Sequence, residues 1–145
     1  MEKRRIVELL EESPVVAAVK DTEGLESYAA SECKVVFILF GTLLNIAAIV
    51  EKVKASGRVA FVHIDLIDGL SPKEAAVDFI AEKTQADGVI STKQPLIRYA
   101  AARGLMTVQR FFLLDSMALS TIRKQIGQSV PDLIEVLPGC LPKII

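Results

Sequence analysis

Short apolar runs recur along the chain at intervals of about 20 to 29 residues, the size of one strand–helix unit. Each run is followed by a stretch in which the apolar positions have helical spacing. The predicted strands are 15–19, 35–39, 59–64, 88–90, 106–109 and 133–136, and the predicted helices between them are 24–31, 42–56, 71–85, 95–103 and 116–128. Near-continuous apolar strands that alternate with helices are typical of a parallel sheet covered on both faces. The pattern therefore predicts an α/β fold with about six parallel βα units.

Two apolar segments resemble targeting or membrane sequences, but both fit a globular fold better. Residues 6–12 form an amphipathic helical pattern with acidic positions throughout, which a signal peptide lacks. Residues 35–50 carry no charge, yet a spanning helix needs about 20 apolar residues, and this run contains Gly41, Thr42 and Asn45. The run divides into a buried strand and a helix, so we expect a soluble, cytoplasmic protein that does not contact membranes.

The residues that punctuate the pattern agree with these elements. Ser71 and Pro72 precede Glu74 in the order expected of an N-cap, a first helical residue and a capping-box carboxylate. Gly57 and Gly104 follow helices, as C-terminal glycines do. Because no linker or break in composition is present, we expect a single (β/α) domain over residues 1–145.

Six strands with right-handed crossovers leave two architectures open: an open doubly wound sheet and a (β/α) barrel that stops early. The first strand is not followed by the glycine-rich turn of a dinucleotide-binding fold, since residues 20–24 read KDTEG. A complete eight-unit barrel normally needs about 200 residues or more. A barrel of this length is expected to lack its last βα units.

Composition narrows the function. Hydrophobic residues make up 51% of the chain and charged residues 24%, which excludes a disordered regulator. The chain has a formal net charge of −1, so it lacks the excess of basic residues that is typical of a constitutive nucleic-acid binder. Cys33 and Cys140 are too few and too far apart for a disulfide scaffold or a zinc cluster.

Polar residues gather at the carboxyl ends of the predicted strands, where parallel α/β folds bind ligands. Strand alternation places His63 and Asp65 on one face, and it places Glu135 opposite its apolar neighbours in the strand. A carboxylate in an apolar strand is costly without a partner, so Arg110 or a ligand hydroxyl is expected beside Glu135. The candidate ligand-binding residues are His63, Asp65, Ser91, Thr92, Lys93, Gln109, Arg110, Glu135 and Gly139.

Four of the candidates also have a structural explanation. His63 is equally compatible with a hydrogen-bonded core residue, and Asp65 with a cap on the loop before Ser71. Ser91 and Thr92 fit an N-cap pair, although a helix N-terminus followed by Lys93 also suits an anion. No nucleophile and base are spaced for catalysis, and the spacing of acidic residues and His63 does not define a metal site. We therefore expect no catalytic residues, no metal and no cofactor.

Four segments, in order, resemble the glycerol uptake operon antiterminator family. They are VHIDLIDG at 62–69, GVISTK at 88–93, VQRFFLLD at 108–115 and PDLIEVLPG at 131–139. The resemblance implies a bacterial regulator with a TIM-barrel-like fold that responds to glycerol 3-phosphate. It further implies binding to leader mRNA, which prevents premature termination in genes of glycerol uptake and utilisation, and no enzymatic activity.

The residues at the strand ends are compatible with that effector. Four of them suit a polyol (His63, Asp65, Gln109 and Glu135), and four suit an anion (Ser91, Thr92, Lys93 and Arg110). Family members continue past the Leu-Pro-Gly segment with further βα units, and such units often hold phosphate. Three expectations stay open: a truncated product, a barrel completed by another chain, or a partial loss of activity. A barrel without its last units would expose strand edges, so we expect a homo-oligomer.

The alternative function is an enzyme that acts on a polyol phosphate or sugar phosphate on the same scaffold. It would use Asp65 or Glu135 as acid–base groups.

Overall fold

In the computed structural model, six strands alternate with helices, as the apolar pattern predicts. The structure describes residues 3–12, 16–27, 33–112, 120–124, 127 and 131–137. The strands are β1 (Val16–Val19), β2 (Val35–Ile38), β3 (Val59–His63), β4 (Gly88–Ser91), β5 (Met106–Phe112) and β6 (Leu133–Leu137). The helices are α1 (Lys3–Glu12), α2 (Thr22–Ser27), α3 (Ile46–Ala55), α4 (Glu74–Lys83) and α5 (Gln94–Ala102), and a 3-10 helix (Ile64–Leu66) follows β3 directly. Residues 120–124 are also helical, and most of the remaining predicted helix at 116–128 lies outside the described residues.

The strand order decides between the two architectures. All five pairings are parallel, and the strands lie in the order β1-β2-β3-β4-β5-β6. A doubly wound sheet reverses its order at a switch point, whereas consecutive order with right-handed crossovers places the connecting helices on one face only. The sheet is therefore a curled, incomplete α/β barrel, and the prediction of a TIM-barrel-like fold is confirmed.

The two faces of the sheet bury separate clusters. The outer face packs against α3, α4 and α5 through residues such as Val36, Val62 and Val89. The inner face holds a second cluster, comprising Val35, Phe37, Val59, Phe61, Ile90, Met106 and Val108. The rings of Phe37 and Phe61 meet edge to face with centroids 5.5 Å apart. The inner face therefore has a well-packed apolar floor.

Helix α1 covers the inner face at the amino ends of the strands. Its Ile6 is fully buried in the inner cluster, where Val35 and Val59 are the first residues of their strands. Lys3 forms an ion pair with Asp132, which directly precedes β6, at 3.3 Å. The amphipathic pattern at the start of the chain thus corresponds to a helix that closes one end of the incomplete barrel.

Two aspartates fix the strands at that same end. Asp87 and Asp132 each precede a strand, and each carboxylate accepts a hydrogen bond from the second residue of a neighbouring strand. The N–H groups are those of Ala60 and Thr107, both at 2.9 Å. Lys54 donates to the buried carboxylate of Asp87 at 2.8 Å.

Two predicted helix starts are wrong. The helix predicted from residue 42 begins at Ile46, because Thr42 donates its N–H to the Asn45 side chain at 2.7 Å and forms a turn instead. This turn leaves Leu44 94% exposed. Helix α4 begins at Glu74 rather than after Ser71, and no side chain caps its start. None of the described helices is long and apolar enough to cross a bilayer.

Gly88 provides a test of the packing between β4 and its neighbours. A Cβ atom at Gly88 would lie 2.5 Å from the carbonyl oxygen of Met106 and 2.6 Å from ring atom Cε1 of Phe61. Since a backbone oxygen cannot move aside cheaply, Gly88→Ala is expected to lower the free energy of unfolding by about 2 kcal/mol, measured by urea denaturation. Gly127→Ala is the matched control, because nothing lies within 4 Å of its added Cβ. Equal effects in the two variants would contradict this packing.

Candidate ligand site at the carboxyl ends of the strands

Three polar residues face the interior of the incomplete barrel near the carboxyl ends of β3, β5 and β6. Strand alternation places His63 on the face of Phe61 and Arg110 on the face of Val108. Register pairs Arg110 with Glu135 directly across β5 and β6. We call His63, Arg110 and Glu135 the inner polar cluster.

Arg110 and Glu135 form a partly buried ion pair. The Nε of Arg110 donates to Oε1 of Glu135, and the two side chains are 12% and 25% exposed. A carboxylate at position 135 thus has the arginine partner that the sequence predicts. Arg110 donates through Nε, and its two Nη groups have no hydrogen-bond partner among the described residues.

His63 is the most deeply buried member of the inner polar cluster. It is 2% exposed, and its Nδ1 has no hydrogen-bond partner within the described part of the chain. Burial lowers the pKa of His63 below its ordinary value of 6.5, and the positive charge of Arg110 lowers this pKa further. Asp65 and Glu135 act in the opposite direction. The folded protein therefore favours the neutral ring, and its Nδ1 is a buried polar atom with no partner among the described residues.

Asp65 is placed differently from the sequence expectation. Strand β3 ends at His63, and Asp65 lies in the 3-10 helix, so strand alternation does not extend to it. Its carboxylate accepts hydrogen bonds from Ser91 Oγ at 2.8 Å and from the N–H and Oγ1 of Thr92, both at 2.9 Å. Ser91 Oγ in turn accepts the N–H of Lys93 at 3.0 Å. The start of α5, where an anion was expected, thus holds a carboxylate of the same chain.

The remaining candidates do not join the inner polar cluster. Gln109 is fully buried, pairs in register with Ser91 and faces the opposite side of the sheet from Arg110. The side chain of Lys93 is exposed at the N-cap of α5. Gly139 lies outside the described residues. The structure therefore divides the predicted site into an inner polar cluster and a group joined to Asp65.

The chemistry of the inner polar cluster suits binding of a small polar molecule. It combines two guanidinium donors, a carboxylate and an imidazole above an apolar floor. Among the described residues, no group of three His, Cys, Asp or Glu side chains is placed to hold a metal ion. Asp65 and Glu135, the acid–base groups of the alternative enzyme, both accept hydrogen bonds from protein donors.

An apolar surface that the sequence pattern does not predict lies beside this site. The loops that follow β2 and β3 are joined by hydrogen bonds from Leu43 N to Asp68 O at 2.8 Å and from Asp68 N to Gly41 O at 3.0 Å. They leave Leu43, Leu44 and Leu66 exposed. The signal for this loop was the pair Thr42 and Asn45, whose side chains compete with helix formation.

Comparison with known proteins identifies a regulatory family. The family described as "Glycerol-3-phosphate responsive antiterminator" matches residues 15–145. The uncharacterized protein YgcP of Escherichia coli strain K12 is 44% identical over 140 residues, which is 97% of this chain and 73% of that protein.

Two crystal structures resemble this chain. One is the glycerol uptake operon antiterminator regulatory protein of Listeria monocytogenes strain 4b F2365, with a TM-score of 0.81 and 28% identity over 90% of this chain and 71% of that chain. The other is a glycerol uptake operon antiterminator-related protein of Thermotoga maritima MSB8, with a TM-score of 0.77 and 33% identity over 87% of this chain and 71% of that chain.

The chain contains a single histidine, so NMR can follow the protonation of His63 directly. Because the folded protein lowers the pKa of His63, the ring resonances are expected to titrate with a midpoint below 6.5. The unfolded chain then binds more protons than the folded chain below pH 6.5. The free energy of unfolding is therefore expected to fall as the pH falls below 6.5.

His63→Gln is the comparison, since glutamine cannot take up the proton. Its free energy of unfolding is expected to depend less on pH in this range than that of the natural sequence. A midpoint at or above 6.5 in the natural sequence would contradict a buried, neutral ring.

Proposed function

The chain belongs to the glycerol-3-phosphate responsive antiterminator family, and on that premise we propose that it is a cytoplasmic transcription antiterminator. In this proposal it binds glycerol 3-phosphate and then leader mRNA of genes for glycerol uptake and utilisation. The observation that carries the proposal is the inner polar cluster, which lies where (β/α) barrels bind their ligands. The proposed role is regulatory and includes no catalytic step.

The inner polar cluster offers complementary groups to a small polyol phosphate. The Nη groups of Arg110 are donors, and Oε2 of Glu135, which accepts no hydrogen bond from the described residues, is an acceptor for a hydroxyl group. The buried Nδ1 of His63 gains a partner when a ligand enters, which removes the cost of an unpaired buried polar atom. The apolar floor below excludes water and strengthens these polar contacts.

RNA binding in this proposal depends on the effector. A net charge of −1 does not support strong general attraction to RNA, so affinity must come from local basic surface that the effector-bound state presents better. A tenfold gain in affinity corresponds to about 1.4 kcal/mol of coupling, which lies within the usual allosteric range.

The regulatory proposal is tested by fluorescence anisotropy with a labelled terminator-proximal leader hairpin, with and without glycerol 3-phosphate. The expected result is at least tenfold tighter binding with the effector, and little change with glycerol alone. Glu135→Gln should weaken the response to the effector, whereas Glu11→Gln, an exposed change on α1, should not. Equal RNA affinity with and without effector would overturn this function, and turnover of a polyol phosphate would favour the alternative enzyme.

We further propose that the chain is a single domain that assembles as a homo-oligomer through β6. This strand is an edge of the described sheet, and its Ile134 and Val136 are 48% and 41% exposed. Exposed apolar edge strands favour association, and a second copy of the chain presents the same surface in a symmetric pair.

Light scattering is expected to give at least a dimer at high micromolar concentration. Ile134→Lys should shift the mass towards the monomer, because a charge on an edge strand opposes pairing. Val7→Lys, at an exposed apolar position on α1, is the control. A monomeric natural sequence at these concentrations would overturn the proposed assembly.

A further inference from the structure

The inner polar cluster contains Arg110, which one carboxylate orients and which can bind a second anionic group. Glu135 accepts from Nε of Arg110, which leaves both Nη groups without a hydrogen-bond partner among the described residues. The two Nη groups of an arginine that is held through Nε form a rigid donor pair that matches the oxygens of a phosphate. The side chain of Arg110 is 12% exposed, so an anion there would be shielded from water.

A second position that could attract an anion is already filled. The N-terminus of α5 has its Thr92 N–H and the hydroxyls of Ser91 and Thr92 bonded to the carboxylate of Asp65. An external anion could use these donors only by displacing Asp65. This competition favours Arg110 over the start of α5.

The inner polar cluster lacks the net positive charge that would balance a bound phosphate. Arg110 carries one positive charge, which Glu135 offsets, and Asp65 adds a negative charge nearby. A dianionic group placed on Arg110 would therefore meet a site without net positive charge. The neighbouring inner-face residues on β2 and β4 are the apolar Phe37 and Ile90, so they offer no compensation.

His63 is the group that can supply the missing charge. It lies on the same inner face, is 2% exposed, and its Nδ1 has no hydrogen-bond partner in the part of the chain that the structure describes. The charged groups that act on it are Arg110 on β5, Glu135 on β6 and Asp65 on the 3-10 helix. Protonation of the ring would give the cluster a second cation and a donor for a phosphate oxygen.

We infer that Arg110 and His63 together bind the anionic group of the effector, and that His63 takes up one proton from solvent as the anion binds. This inference rests on the proposed function and specifies its chemistry. No covalent bond forms or breaks when the anion binds. The only species transferred is the proton that the ring nitrogen takes up from solvent. Burial and Arg110 both lower the pKa of the unliganded ring and so favour its neutral form, whereas a bound dianion favours the protonated form.

The inference is tested by calorimetric titration of the full chain with glycerol 3-phosphate between pH 7 and 8. The phosphate group is mainly dianionic in this range, since its second pKa is about 6. Titrations in two buffers of different ionisation enthalpy are expected to show uptake of up to one proton per ligand. The affinity is expected to rise by up to tenfold for each unit that the pH falls. The NMR midpoint of His63 should move upward when the ligand is present.

Variants separate Arg110 from the start of α5. Arg110→Lys keeps the charge and the partner of Glu135 but loses the paired donors, so affinity is expected to fall about tenfold. His63→Gln should bind without proton uptake and with little pH dependence. Arg4→Lys, a matched change on α1 at the opposite end of the strands, should bind as the natural sequence does.

The outcomes distinguish this inference from the proposed function. Binding of glycerol 3-phosphate without proton uptake, or binding that is lost in Lys93→Gln but kept in Arg110→Lys, overturns the inference and leaves the function standing. If glycerol 3-phosphate fails to bind, inorganic phosphate is used as the probe. A His63 midpoint raised by inorganic phosphate, and not raised in Arg110→Lys, supports the anion site and overturns the proposed effector. Absence of binding by either phosphate overturns both.

Discussion

Arg110 and Glu135 stand directly opposite each other because β5 and β6 pair in a single register, and the candidate site depends on this ion pair. Its members lie above an inner face that is otherwise apolar, where removal of a charge from water is costly. Apolar residues of similar volume often stabilise a fold at least as well as a buried ion pair. Stability alone therefore does not explain these charges, which is why we propose a ligand-binding role for them.

The two ends of the incomplete barrel have different tasks. At the amino ends, Asp87 and Asp132 satisfy backbone donors of neighbouring strands, and Ile6 of α1 fills the interior. At the carboxyl ends, the polar groups of the inner polar cluster are only partly satisfied. The packing at the opposite end holds the strands in place, so the site can keep an imidazole nitrogen that has no partner among the described residues.

Much of this arrangement could be predicted from the sequence, since strands buried on both sides must be apolar. The partner of Glu135 was also predictable, because a carboxylate in an apolar strand needs one. The strand order could not be predicted, since the spacing of strands and helices is the same in a barrel and in a doubly wound sheet. Leu43 and Leu44 continue an apolar helical pattern, but the hydrogen bonds of the neighbouring turn and the bond from Leu43 N to Asp68 O keep them out of α3.

The position of Asp65 could not be predicted because it depends on contacts between distant parts of the chain. Its partner Ser91 lies 26 residues further along, and the two meet only after β3 and β4 have paired and β3 has ended in a 3-10 helix. The same short helix carries the exposed Leu66 one residue later. Asp65 thus joins the start of α5 to the loop after β3, which carries part of the apolar surface formed by Leu43, Leu44 and Leu66. The end of β3, which carries His63, is therefore connected through Asp65 to the start of α5 and to that surface, and a change of charge at His63 acts on the Asp65 carboxylate.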